Sequence, residues 1–149
     1  MTLREKLEED IKASMRSRDQ ARLDALRFLK NAVLAVEKEQ KKALDDAGVI
    51  DVATKQASDR RDSIKAFEEG GRDVMAAKEA AELVVLEEFL PPQMSTDELT
   101  EIIKATAAEV GATSIQDKGK LMGKLMPQVR GKSDGTVVNE MATEYLNSL

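Results

Sequence analysis

The 149-residue sequence contains no cysteine, no histidine and no tryptophan. Without Cys or His there is no zinc finger, iron–sulfur cluster, haem ligation or di-iron Glu-x-x-His site. Serine–histidine and cysteine–histidine nucleophilic devices are excluded as well. No disulfide framework can form, which fits a reducing compartment. Aromatic residues make up only 3% of the chain, three Phe and one Tyr, too few for a platform that stacks unpaired bases. No run approaches the roughly 18 apolar residues of a membrane helix. The segment Met1–Asp10 mixes acids and bases and lacks the apolar stretch of a signal peptide. These absences predict a cytoplasmic chain with no membrane segment, no metal and no cofactor.

What is present is helical periodicity. At 42% hydrophobic and 34% charged, the chain can build one core or two small ones. Thr2-Leu3-Arg4-Glu5 has capping-box form, and Leu3, Leu7 and Ile11 follow at helical spacing. Asp19 is placed to cap a second helix, through Leu23, Leu26, Phe28, Leu29, Val33 and Val36 to about Lys42. Its wide apolar stripe predicts a central helix. Leu44–Ile50 reads as a loop, with Asp51 capping a third helix whose inward face carries Ala53, Ala57, Ile64 and Phe67. Gly70-Gly71 ends it. A fourth helix, about Asp73–Glu88, presents Val74, Ala77, Ala81, Val84 and Val85. Pro91-Pro92 then removes two amide donors and forces a turn.

Beyond the prolines, Ser95-Thr96-Asp97-Glu98 is a second capping box, with Leu99, Ile102, Ile103, Thr106 and Val110 inward and Gly111 as the stop. A sixth helix, about Gln116–Gln128, sets Met122, Leu125 and Val129 on one side, with a bend or a switch to a short turn expected at Pro127. Gly131 closes it. Asp134 caps a seventh, striped by Val138, Met141, Ala142, Tyr145 and Leu149. The predicted fold is all-α: an N-terminal four-helix domain over 1–90 and a small three-helix C-terminal domain over 91–149. Phe28, Phe67 and Phe89 are expected in the core.

No residue constellation nominates a catalytic site. Gly119-Lys120-Leu121-Met122-Gly123-Lys124 is not a phosphate-binding P-loop, because three residues separate the glycines and Leu125 follows the lysine. The glycines at i, i+4 nonetheless want a reason, since each costs a helix interior about 0.8–1 kcal/mol against Ala. Close helix–helix packing is the bland reason; approach by a phosphodiester backbone is the sharper one. Within Ser114–Gly135 the charges Lys118, Lys120, Lys124, Arg130 and Lys132 outweigh Asp117 and Asp134 by a net +3, inside a chain of net −5. A second basic stretch, Ile11–Ala32, is net +4 and carries Lys12, Arg16, Arg22, Arg27 and Lys30. A solvated surface laced with ion pairs is the commoner fate of such charge.

The elements Leu26-Arg27, Gly71-Arg72-Asp73, Leu86-Glu87-Glu88-Phe89-Leu90-Pro91-Pro92-Gln93-Met94-Ser95, Gly119-Lys120-Leu121-Met122-Gly123-Lys124-Leu125-Met126-Pro127 and Arg130-Gly131-Lys132-Ser133-Asp134-Gly135, followed by Val138-Asn139, resemble the YqeY family (GatB/YqeY-like proteins) along essentially the whole chain. Phe89 stands where the family more often has Tyr, and Val74-Met75 also departs from its usual pattern. The resemblance implies an all-helical chain with two domains joined near the Leu-Pro segment. It also implies kinship with the tail of the B subunit of the tRNA-dependent amidotransferase, a module that touches the outer corner of tRNA and is found on some glutaminyl-tRNA synthetases. A carbon–nitrogen ligase label with glutamine as amido donor follows by relation only, because the amidotransferase catalytic site lies in a domain this chain lacks.

The functional expectation is therefore a cytoplasmic tRNA-binding accessory module of translation, without catalysis of its own. Lys118, Lys120, Lys124, Arg130 and Lys132 would meet phosphates, and Gly119, Gly123, Gly131 and Gly135 would permit close approach. Lys12, Arg16, Arg22, Arg27 and Lys30 would form a secondary basic face. Amidotransferase or aminoacyl-tRNA synthetase components are the further expected partners. The alternative is a helical protein-interaction adaptor with no nucleic-acid role.

Overall fold

A computed structural model describes all residues, Met1–Leu149. It is all-helical: α1 Leu3–Ser17, α2 Gln20–Gln40, α3 Asp46–Glu69, α4 Asp73–Glu87, α5 Thr96–Val110, α6 Lys118–Val129 and α7 Gly135–Asn147, with a 3-10 turn at Ile115–Asp117 ahead of α6. The chain divides into two compact units, Met1–Pro91 and Pro92–Leu149.

In the first unit the caps follow from side-chain chemistry. Thr2 Oγ1 accepts from the Glu5 amide at 3.1 Å, and Asp19 Oδ1 accepts from the Arg22 amide at 3.1 Å, each satisfying an orphan donor of a first turn. Helix α2 packs against α1, α3 and α4, as its broad stripe requires. Leu7, Leu26, Leu29, Val33, Val49, Leu86 and Phe89 are essentially shut from solvent. Each such Leu or Phe contributes about 1.5–3 kcal/mol of transfer free energy.

Three expectations in this unit are corrected. Helix α3 begins at Asp46, not Asp51, because Asp45 caps it by accepting from the Gly48 amide at 2.9 Å. Leu44 and Val49 occupy the two positions of a hydrophobic staple around that cap, and both belong to the core. Helix α4 turns a different face inward. Val74 is 84% exposed and Val84 63% exposed, while Ala76, Val85 and Leu86 are buried. The helix is apolar on most sides, so periodicity does not select its face. The face that buries Val85 and Leu86 also brings Glu79 and Glu82 to Arg60 of α3, whose Nη1 meets Glu79 Oε2 at 2.7 Å and also pairs with Glu82. Phe28, expected in the core, is 58% exposed; it lies two residues, roughly 200°, around α2 from Leu26. Phe67 is half-buried and Phe89 buried.

The α3–α4 connection is a full Schellman turn. The Arg72 amide donates to the Phe67 carbonyl (2.7 Å) and the Gly71 amide to the Glu68 carbonyl (3.1 Å). Gly71 takes the left-handed conformation, φ +72°, which a residue with a Cβ resists.

In the second unit Leu99, Ile103, Leu121, Leu125, Val129, Val138, Ala142 and Leu146 form one buried cluster, with Ile102, Val110, Met122, Met141 and Tyr145 packed at its edge. Ser95 caps α5 through the Glu98 amide at 3.1 Å, and Gly111 ends it at φ +70°. Leu149, expected on the α7 stripe, is exposed beyond the helix end. The chain does not switch to a short turn at Pro127, since α6 continues to Val129. Pro127 sits in the last turn, where the lost amide costs only one ladder bond.

Candidate interaction site on helix α6

The basic, glycine-bearing segment folds as the 3-10 turn, α6 and the turn into α7. Leu121, Leu125 and Val129 anchor one side of α6 in the core. Gly119 and Gly123 lie on the other side, both exposed. A Cβ built at either position would meet nothing within 4 Å. The bland reason for these glycines, close packing within the unit, therefore fails. Pro127, also exposed, continues the same row four residues on. It has no N–H to give the Gly123 carbonyl, which therefore lacks its usual helical donor.

The acids of the segment are turned inward to its own backbone. Asp117 Oδ2 accepts from the Thr113 amide at 2.9 Å and the Ser114 amide at 3.3 Å. These bonds, the Thr113 amide foremost, hold its carboxyl below the ordinary carboxylate value, with Lys120 adding to the effect. Asp134 caps α7 through the Thr136 amide at 2.9 Å. Lys120, Lys124, Arg130 and Lys132 are exposed and Lys118 half-buried. Lys124 Nζ lies 3.3 Å from Glu109 Oε1 in an exposed pair, of the kind worth little in water.

Two of the expected contact glycines do different work. Gly131 is buried at φ +78°, and its carbonyl accepts from Gln93 Nε2 at 2.8 Å. It is a turn residue tying the Pro-Pro segment to the unit. Gly135 is exposed at the start of α7 with open space around it.

The secondary basic face on α1 and α2 is partly ion-paired. Arg22 pairs with Glu88 and Asp10, Lys30 with Glu8, and Lys12 with Glu9 at 3.6 Å. Arg16, Arg18 and Arg27 remain exposed. Three of the six bases of this stretch thus meet acids that lie outside it in the sequence.

Sequence reasoning missed a second cluster altogether: Phe28, Gln56, Arg60, Glu79 and Glu82, gathered where α2, α3 and α4 meet. Arg60 lies over the Phe28 ring at 4.9 Å from its centroid. The available signal was the off-stripe position of Phe28.

Residues 4–146 match the family described as Yqey-like protein. The chain belongs to the YqeY family. Curated relatives carry the name "Altered inheritance of mitochondria protein 41, mitochondrial". That of Pyrenophora tritici-repentis is 25% identical over 146 residues, covering 96% of this chain and 80% of the relative. That of Saccharomyces cerevisiae is 25% identical over 149 residues and that of Kluyveromyces lactis 27% over 147, each covering 93% of this chain and 80% of the relative. These findings correct two expectations. The relatives are named for mitochondrial inheritance, not as a tRNA-binding accessory of the amidotransferase, and the family match brings neither tRNA binding nor carbon–nitrogen ligase activity with it. Their names also point to the mitochondrion, which overturns the cytoplasmic assignment.

Proposed function

We propose that this YqeY-family chain is a helical interaction adaptor whose second unit docks an acidic helix of a partner protein on the open face of α6. On this reading the two units are separate domains, four helices and then three, and the second carries the docking face. The observation that supports it is the bare row Gly119–Gly123, two helix glycines with no neighbour to accommodate. Such a row lets a second helix backbone approach more closely than side chains normally permit. Lys118, Lys120, Lys124, Arg130 and Lys132 flank it, and the segment's own acids are engaged in capping, so the complementary partner is acidic.

The cysteine-free sequence makes the test clean. A Gln116→Cys variant, exposed one turn ahead of the glycine row and outside it, carries one attachment point for a photo-crosslinker, and Lys104→Cys on the exposed side of α5 serves as the control. Adducts from position 116 should map to acidic helical segments of a protein and should fall when Lys120 and Lys124 are changed to Glu. Equal adduct yields from positions 104 and 116, or partner segments without net negative charge, would overturn the proposal.

A further inference from the structure

The first unit contains a cleft with unanswered hydrogen-bonding capacity. It has two adjoining halves, about 190 Å³ and 330 Å³, which share Phe28, Gln56 and Asp59. The polar half adds Arg60, Ser63 and Glu79; the other is walled by Ala32, Ala35, Val36 and Val52, with Lys55 at its side. Gln56 is only 9% exposed. Its Nε2 donates to the Phe28 carbonyl at 3.2 Å, but its Oε1 is shut from solvent with no donor. A buried acceptor left in that state forfeits its hydration without compensation, so it calls for an explanation. Phe28 presents a large apolar ring to solvent beside it.

The charges around the polar half are unbalanced. Arg60 is held by both Glu79 and Glu82, and Asp59 is an exposed carboxylate on the same wall. Two carboxylates hold the one guanidinium and a third, Asp59, lies on the same wall, so the polar half is net negative, and its unanswered buried atom, Gln56 Oε1, is an acceptor. The complementary group is flat, cationic and made only of donors. A guanidinium has five N–H donors and no acceptor, and it stacks on aromatic faces.

We propose that this cleft binds the side chain of an arginine carried by a partner polypeptide. The guanidinium stacks on the Phe28 face that Arg60 leaves open, donates to Asp59, and draws the Gln56 side chain round so that its Oε1, closed to solvent in the empty cleft, accepts from it. The apolar half, larger than an arginine stem requires, receives a neighbouring aliphatic residue of the same polypeptide. The site lies in the first unit and does not depend on the α6 reading.

The test is a ¹⁵N-resolved NMR titration of the full chain with N-acetyl-L-arginine N-methylamide. The matching citrulline and lysine compounds serve as controls, one flat and neutral, the other a point charge. Saturable shifts centred on Phe28, Gln56, Asp59 and Ser63 are expected, with citrulline and lysine at least about tenfold weaker. Phe28→Leu and Asp59→Asn change exposed positions; each should weaken the arginine compound at least about threefold while the helical spectrum is unchanged. Lys120→Glu with Lys124→Glu, in the other unit, should leave this titration as it was. Equal binding of the citrulline compound, or indifference to both cleft variants, overturns the proposal. Binding of free agmatine without binding of the capped arginine overturns its polypeptide source.

Discussion

Replacing Gly123 by alanine should make the protein more stable while depriving it of its partner. Gly123 sits in the middle of α6, and a Cβ there meets nothing within 4 Å. The substitution therefore adds no clash and gains most of the helix-propensity difference, about 0.8–1 kcal/mol. Gly119, at the second helical position, gains less, roughly half as much, because the first turn is already partly unbonded. Together the two changes should add about 1–1.5 kcal/mol to the second unit. In a unit of roughly 60 residues that corresponds to a rise in Tm of about 8 °C or more.

The assay follows from composition. Tyr145 is the single tyrosine, and tryptophan is absent; it packs at the edge of the second unit's core. Tyrosine fluorescence during urea unfolding thus reports on that unit alone. A stabilised variant that no longer yields partner adducts would mean that the glycines serve binding at the expense of the helix. A loss of about 0.5 kcal/mol or more on Gly123→Ala would refute the reasoning, because it would mean that the glycine serves the unit's own packing.

The same chemical change should have the opposite sign at Gly48. A Cβ there would lie 2.8 Å from Leu44 Cδ2 and 3.2 Å from Leu44 Cβ, so the buried staple must shift. Overpacking of about 2 kcal/mol, offset by about 0.8–1 kcal/mol of helix propensity, should show in urea unfolding followed by circular dichroism as a net loss of about 1 kcal/mol, and a gain like that at Gly123 would contradict the packing described. Glu37→Gln should cost about 1–2 kcal/mol at neutral pH, because Glu37 accepts from Arg4 Nε at 3.1 Å and from the Leu44 amide at 2.9 Å. Those two partners, Arg4 foremost, hold the Glu37 carboxyl below its ordinary value of 4.5. The stability it contributes is thus fully present above about pH 4.5 and is lost as pH falls through the lower folded value, so the variant should show a flatter acid limb in a pH series of unfolding curves. Phe89→Ala removes a buried ring from the end of the first unit and should cost about 3–5 kcal/mol, again read from urea unfolding.

The helices were legible wherever a cap and a stripe agreed. Thr2, Asp19, Ser95 and Asp134 all cap as expected, and the Leu99–Ile103 and Val138–Ala142 stripes face inward as read. Reading failed where two local signals competed. The acids and glycine of Asp45-Asp46-Ala47-Gly48 have loop composition, yet Asp45 caps and Leu44 staples. Helix α4 offers apolar residues on nearly every side, and the face it buries also pairs Glu79 and Glu82 with Arg60, a residue thirteen positions before α4 begins that carries no periodic signal. The α6 site was legible as a charged glycine segment, but sequence alone could not distinguish packed glycines from open ones. The arginine-binding cleft was illegible because its key acceptor is defined by a missing donor, which exists only once three helices have met.

Phe89 carries a consequence for the order in which the chain can be made. It is among the last residues of the first unit's core, two positions before the unit ends at Pro91. During synthesis the first unit therefore cannot close its interior until nearly its whole length has emerged. The second unit has its own late tie: the Met94 amide donates to the Lys132 carbonyl at 2.8 Å, so the segment after the prolines waits for α6 to be complete. Each unit is sealed close to its own C-terminal end or across most of its length, so an arrested chain would expose an unfinished core in whichever unit was being built.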